Sequence, residues 1–191
     1  MPAEVEIKFR IDEIPSLTDK LRANGFHVIT ERTHELNTLH DQPGNPLRAR
    51  GALLRLRQYG EKWSLTYKEK SAASGRHKVR HEIETLVQNG PAMAEILAAL
   101  GFAPTFIYEK FRSEWSDGKG HVVLDETPIG NFGEIEGAPD WIDATARALD
   151  ISEQQYIKDS YAELFASWKR QTRSSAEHMT FEQIQSGAQA N

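Results

Sequence analysis

Residues 4–11 of this 191-residue chain alternate strictly, with Val5, Ile7, Phe9 and Ile11 on one side and Glu4, Glu6, Lys8 and Arg10 on the other. A period of two predicts a strand with one apolar face. The pattern then changes to helical spacing at Ile14, Leu17 and Leu21, and Gly25 ends it, predicting a short helix over 14–24. A long strand is predicted over 26–41, and a loop over 42–51, which carries Pro43, Gly44 and Pro46. Strands are predicted over 53–59 and 62–70 across a Gly60-Glu61 turn, and over 78–87 after the small-residue loop 72–75. Met93, Ile96, Leu97 and Leu100 predict a helix over 91–100 that stops at Gly101. Strands over 104–115 and 121–125 flank the turn Asp117-Gly118-Lys119-Gly120, and a short strand covers 131–137. Beyond Asp140 the spacing is helical, through 141–149 and 160–168. Residues 171–191 are polar without clear periodicity and read as a disordered tail. The expected architecture is α+β: an eight-stranded antiparallel β-barrel with flanking helices, in one domain over 1–170 followed by the tail 171–191.

Composition narrows the chemistry. The chain is 39% hydrophobic and 27% charged, an ordinary globular balance. Its net charge of -5 argues against general nucleic-acid binding, which needs a basic face. It has no cysteine, which excludes disulfides, thiolate zinc sites and a thiol nucleophile. No apolar run reaches the roughly 18 residues of a membrane span, and the N-terminus has no signal-peptide core. A cytoplasmic location without a membrane partner is expected.

The polar strand faces carry the functional signal. Charges fall on one parity: Glu4, Glu6 and Lys8; Arg55 and Arg57; Lys68 and Lys70; Lys78, Arg80, Glu82 and Glu84; Lys110 and Arg112; Asp125; Glu134 and Glu136. A single such face is ordinarily solvated. Here, however, the faces carry few of the Ser, Thr, Asn and Gln that dilute a solvent face, and like charges recur two residues apart, about 7 Å on a strand. A ligand with charges of its own reconciles this. Five carboxylates (Glu4, Glu6, Asp125, Glu134 and Glu136) would supply hard oxygen ligands to Mg²⁺ or Mn²⁺. Basic residues across the cavity would clamp an oligophosphate. The charged faces would then line the interior, and the apolar faces would pack outward against helices.

These residues resemble the CYTH, or triphosphate tunnel metalloenzyme, superfamily, which includes class IV adenylyl cyclases, thiamine triphosphatases and inorganic triphosphatases. The opening Glu4-Val5-Glu6-Ile7-Lys8 is similar to its Glu-x-Glu-x-Lys signature. Leu54-Arg55-Leu56-Arg57, Leu65-Thr66-Tyr67-Lys68, Arg80-His81-Glu82-Ile83-Glu84 and Glu109-Lys110-Phe111-Arg112 follow in the family's order. So do Leu124-Asp125, the run from Gly130 through Glu134-Ile135-Glu136 to Gly137, and Ser160-Tyr161-Ala162-Glu163-Leu164. The resemblance implies metal ligation by Glu4, Glu6, Asp125, Glu134 and Glu136. It implies phosphate binding by Lys8, Arg55, Arg57, Lys68, Arg80, Lys110 and Arg112, with Glu4, Glu6, Lys8 and Arg57 as the catalytic set. A basic residue usually precedes the Ser-Tyr of the last helix; here Asp159 holds that place and Lys158, one position earlier, is the candidate.

The expected activity is metal-dependent hydrolysis of a small triphosphate, with one metal bridging phosphate oxygens and a second activating water. Class IV adenylate cyclase activity, giving cyclic AMP and pyrophosphate from ATP, is the alternative, because both reactions use the same charged lining. A non-catalytic polyphosphate-binding module is a second alternative. A homodimer is left open. His34, His40 and His77 read as surface or loop histidines, Trp141, Phe165 and Trp168 as packing residues, and no Walker-type glycine loop is present.

Overall fold

The computed structural model describes residues 4–69 and 78–188. Among these residues nine strands form one antiparallel sheet in the order β5-β1-β9-β8-β7-β2-β3-β4-β6. They are β1 (Glu4–Ile11), β2 (His27–Asp41), β3 (Leu53–Tyr59), β4 (Lys62–Lys68), β5 (Lys78–Arg80), β6 (Glu82–Val87), β7 (Ala103–Ser116), β8 (His121–Thr127) and β9 (Gly130–Glu136). The two edges of this order, β5 and β6, are consecutive in the chain, with His81 alone between them. Residues 78–80 pair with β1, and 82–87 pair with β4. One bent strand therefore links both edges covalently, with no ladder between them. Counted as one, β5 and β6 make the eight strands the alternation predicts.

Among the described residues six α-helices accompany the sheet: α1 (Ile14–Ala23), α2 (Pro46–Ala49), α3 (Gly90–Ala99), α4 (Pro139–Ala148), α5 (Tyr161–Thr172) and α6 (Phe181–Ala188). Outward apolar residues of β1, β8 and β9 (Ile7, Phe9, Val122, Leu124, Ile135) pack against Leu17 and Leu21 of α1 and Ile142 and Ala146 of α4. This places the apolar faces outside the sheet on this half of the molecule, as the charge pattern predicts. A second cluster joins the inward-facing Tyr108 and Phe132 to Tyr161, Leu164 and Phe165 of α5, with Ala176 and Met179 beyond them. Helix α5 thereby fills one end of the interior with aromatic side chains, so the charged space is confined to the rest.

Two expectations are corrected. The predicted loop over 42–51 contains the single-turn α2, because the Asp41 carboxylate accepts from the backbone N–H groups of Gln42, Leu47 and Arg48 and organises the turn. The predicted disordered tail is ordered through residue 188. Met179 is fully buried, and its backbone exchanges hydrogen bonds with Ile107 and Glu109 of β7. Strand β8 covers β7 only from Phe111 onward, so the free edge of β7 at 107–109 accepts this segment. The segment is polar on average, and the few apolar residues that dock it (Ala176, Met179, Phe181, Ile184) are too sparse to show a period. The predicted loop over 72–75 lies outside the described residues.

Candidate active site

Inward parity on the strands builds one cavity of about 390 Å³. Lys8 of β1, Arg55 and Arg57 of β3, Lys68 of β4, and Lys110 and Arg112 of β7 supply its cations. Glu6, Glu82, Glu84, Glu114, Glu134 and Glu136 supply its carboxylates, with His121, Ser160, Tyr108 and Tyr161 completing the polar lining. Six cations and six carboxylates among the described residues leave the wall without net charge.

Cross-strand register explains the local order. Arg57 stands opposite Ser64 and Arg55 opposite Thr66, while Thr66 stands opposite Glu84 on the next strand. The Arg57 Nη2 donates to both Glu84 oxygens at 3.0–3.1 Å, and the buried Thr66 hydroxyl donates to Glu84 at 2.6 Å. Burial opposes ionisation of Glu84, but the Thr66 hydrogen bond and the Arg57 and Arg55 charges overcome it and hold its carboxyl below the usual range. Lys68 pairs with Glu82, its partner in register, at 2.7 Å.

The opposite sector is more deeply buried. Arg112 donates in bidentate fashion to Asp125 at 2.6–2.7 Å and reaches Glu134 at 2.7 Å. Lys110 donates to Asp125 at 2.8 Å, and the Tyr161 hydroxyl donates to the same carboxylate at 2.6 Å. Burial, together with the Asp125 and Glu134 charges, pushes the Tyr161 phenol far above its usual range, so it remains a donor. Lys8 pairs with Glu134 at 3.3 Å, donates to the Asp159 carbonyl, and lies 4.3 Å from the centre of the Tyr161 ring.

Of the residues expected to form the site, Glu6, Lys8, Arg55, Arg57, Lys68, Lys110, Arg112, Glu134 and Glu136 share this wall. Asp125 does not line it. It lies fully buried beneath the wall, where it binds Lys110, Arg112 and Tyr161. Lys158 is exposed and off the cavity wall. Glu4 pairs with Arg80 through the backbone, and the side chains of both lie outside the described residues, as does His77. His34 and His40 do not meet at a site: His34 pairs with Glu109 at 2.7 Å, and the buried His40 places its Nδ1 3.2 Å from the Thr38 carbonyl oxygen.

The sequence reading missed Glu35, Glu114, His121 and Tyr108, and gave Tyr161 no role. Glu35 sits in a strand that is polar on both faces, so alternation gives no inward direction. His121 stands opposite Glu136 in the ladder, and Glu136 opposite Glu6, which places all three in one row across β8, β9 and β1.

Among the described residues, no three carboxylate or histidine groups converge closely enough to cage a metal. The donor chemistry nevertheless fits a hard divalent cation. Glu6 and Glu136 stand opposite each other in the ladder and bring hard oxygen donors from two strands to one face of the cavity. Magnesium sites typically take one or two carboxylates and complete the shell with phosphate oxygens and water.

The CYTH domain family model matches residues 2–163. A Methanocaldococcus jannaschii protein, provisionally named an adenylate cyclase, is 28% identical over 172 residues, covering 84% of this chain and 97% of that protein. A Pyrococcus horikoshii structure shares 25% identity with a TM-score of 0.71, covering 84% of this chain and 98% of its own. A Vibrio parahaemolyticus structure, provisionally an adenylate cyclase, has a TM-score of 0.76 at 21% identity, covering 86% and 98% of the two chains. A Hippeastrum protein, provisionally an adenylyl cyclase that reveals a dominant triphosphatase activity, has a TM-score of 0.65 at 19% identity, covering 86% and 95%. No helix among the described residues is long and apolar enough to cross a membrane.

Proposed function

The chain belongs to the CYTH domain family, and on that premise we propose that it hydrolyses a small triphosphate in this cavity with the help of Mg²⁺ or Mn²⁺. The observation that carries the reading is one 390 Å³ space with two unlike sectors: five of its six cations stand on β3, β4 and β7, interleaved with Glu82, Glu84 and Glu114, while on β1 and β9 the carboxylates Glu6, Glu134 and Glu136 outnumber Lys8. A triphosphate brings roughly four negative charges to a wall that is neutral among the described residues, and divalent cations would offset the excess.

Glu6, Glu134 and Glu136, with Glu4 on the same strand face as Glu6, would hold the metal. When bound, it would neutralise charge developing on the phosphate oxygens and lower the pKa of a water. Arg55, Arg57, Arg112, Lys68 and Lys110 would bind the phosphate oxygens, the arginines in bidentate fashion. Asp125 would orient Lys110 and Arg112 from beneath. Lys8, held by Glu134 and the Tyr161 ring, would place its charge between the two sectors.

Adenylate cyclase activity is the second reading, favoured by the name of the M. jannaschii relative. The deciding experiment supplies tripolyphosphate, thiamine triphosphate and ATP to the purified protein, each with Mg²⁺ and Mn²⁺. Orthophosphate release, lowered at least about 100-fold in Glu134→Gln, supports the hydrolase. Cyclic AMP and pyrophosphate from ATP would establish the cyclase. Tripolyphosphate binding that survives Glu134→Gln, with no turnover under any metal, would make this a binding module.

A further inference from the structure

Glu35 and Asn37 point from β2 into the interior, and neither is exposed to solvent. The Glu35 Oε1 accepts from Asn37 Nδ2 at 2.9 Å and lies 3.5 Å from the Lys110 ammonium. Among the described residues its Oε2 receives no hydrogen bond, yet it faces Arg112 Nε at 3.8 Å and Arg57 Nη1 at 4.0 Å. These cations come from β7 and β3, the strands that pair with β2 on its two sides.

The short bonds of the same cations go elsewhere, Arg57 to Glu84 and both Lys110 and Arg112 to Asp125. Glu35 is therefore no cation's main partner; it is a buried charge shared among several. Burial opposes its ionisation, and the charges of Lys110, Arg112, Arg55 and Arg57 overcome that and keep the carboxyl far below the usual range. As a device for stability this is poor, because an orphaned buried oxygen is costly and an apolar group of similar shape generally packs at least as well.

We propose that Glu35 is a positioning residue of the phosphate clamp, a built-in counter-charge that keeps Arg57, Lys110 and Arg112 aimed at the cavity and limits how tightly they hold an anion. The inference rests on the triphosphate reading of the same cavity. An entering phosphate is drawn to the cations and repelled by the carboxylate behind them, so affinity is capped and the product anion leaves sooner.

The test compares wild type, Glu35→Gln and Glu35→Asp, measuring tripolyphosphate and orthophosphate binding by calorimetry in EDTA, then turnover with Mg²⁺ and Mn²⁺. Removing the charge in Glu35→Gln is expected to tighten both anions about fivefold or more and to steepen the salt dependence of binding. Its kcat and KM fall together as release slows. Glu35→Asp, which keeps the charge, stays within about twofold of wild type in affinity. A residue that only fills space would instead weaken binding when altered. Weaker or unchanged anion affinity in Glu35→Gln, or no binding by either protein, overturns the assignment. Should Glu35→Gln fail to fold in plain buffer, added tripolyphosphate is expected to restore its melting transition, and failure to do so also overturns it. The expected order of affinities without turnover under either metal would retire the hydrolase reading and leave Glu35's role standing.

Discussion

Three donors converge on the Asp125 carboxylate: the Lys110 ammonium, the Arg112 guanidinium and the Tyr161 hydroxyl. Asp125, Lys110 and Tyr161 are buried and the Arg112 side chain is only 13% exposed, so the ion pairs owe their value to completeness rather than to number. Taking away the anion strands two buried cations. Asp125→Asn is expected to cost about 3 kcal/mol or more of unfolding free energy, read from a urea melt; a loss under about 1 kcal/mol would mean that Glu35 and Glu134 alone hold these cations. Gly133 shows a different constraint at the same scale. A Cβ there would run into the Phe9 ring, on the strand pair that presents Glu134 and Lys8. Gly133→Ala is therefore expected to lower the melting temperature and to disturb the carboxylate sector with no change of charge.

Helix α5 and the segment after it act together at the scale of elements. The helix begins with a capping box, in which the Ser160 hydroxyl accepts from the Glu163 backbone and the Glu163 carboxylate accepts from Ser160. That cap sets the first turn so that Tyr161 enters the interior. The following segment buries Ala176 and Met179 against the same cluster, and the Glu109 carboxylate accepts from the Phe181 backbone N–H at the start of α6. Met179→Ala is expected to cost about 2–5 kcal/mol, a loss read from equilibrium unfolding. A chain ending at Arg173 should be destabilised at least as much and should show exchange of the Glu109 amide, which donates to the Met179 carbonyl, and of the Ile107 amide, which donates to His178 Nδ1. If instead the shortened chain melts like the full one, the segment is an ornament on β7 and not part of the plug.

Titration ties these pieces together across the molecule. His40 is buried and its pKa is lowered, chiefly by burial, so the unfolded chain binds a proton the folded one refuses. Stability is expected to decline as pH falls below about 6.5, and His40→Gln should remove that step. Glu35, Glu84 and Asp41 have depressed pKa values, each against the opposition of burial. Their contribution is complete above the ordinary carboxylate range and is lost as pH falls below about 4.5 toward the folded values. Thermal melts from pH 8 to pH 3 should therefore show two separate declines, and a flat profile between pH 7 and pH 5 would contradict the His40 step.

The amino-acid pattern by itself determined the strands, the helices α1, α3, α4 and α5, the antiparallel succession, and which parity of each strand carries charge. These follow from backbone periodicity and from the cost of placing like charges two residues apart, both local quantities. It also picked out eleven of the residues on the cavity wall, nine as expected metal or phosphate ligands and Glu82 and Glu84 by their charged parity, because their strands alternate cleanly. Tertiary structure alone decided the rest. Asp125 went beneath the wall because Tyr161, 36 residues away in sequence, closes over it. Glu35 turned inward in a strand whose two faces look alike. The C-terminal segment became ordered because β8 stops short and leaves an edge of β7 to be paired. Each of these depends on contacts between residues far apart in the chain, and neither spacing nor composition encodes where such partners meet.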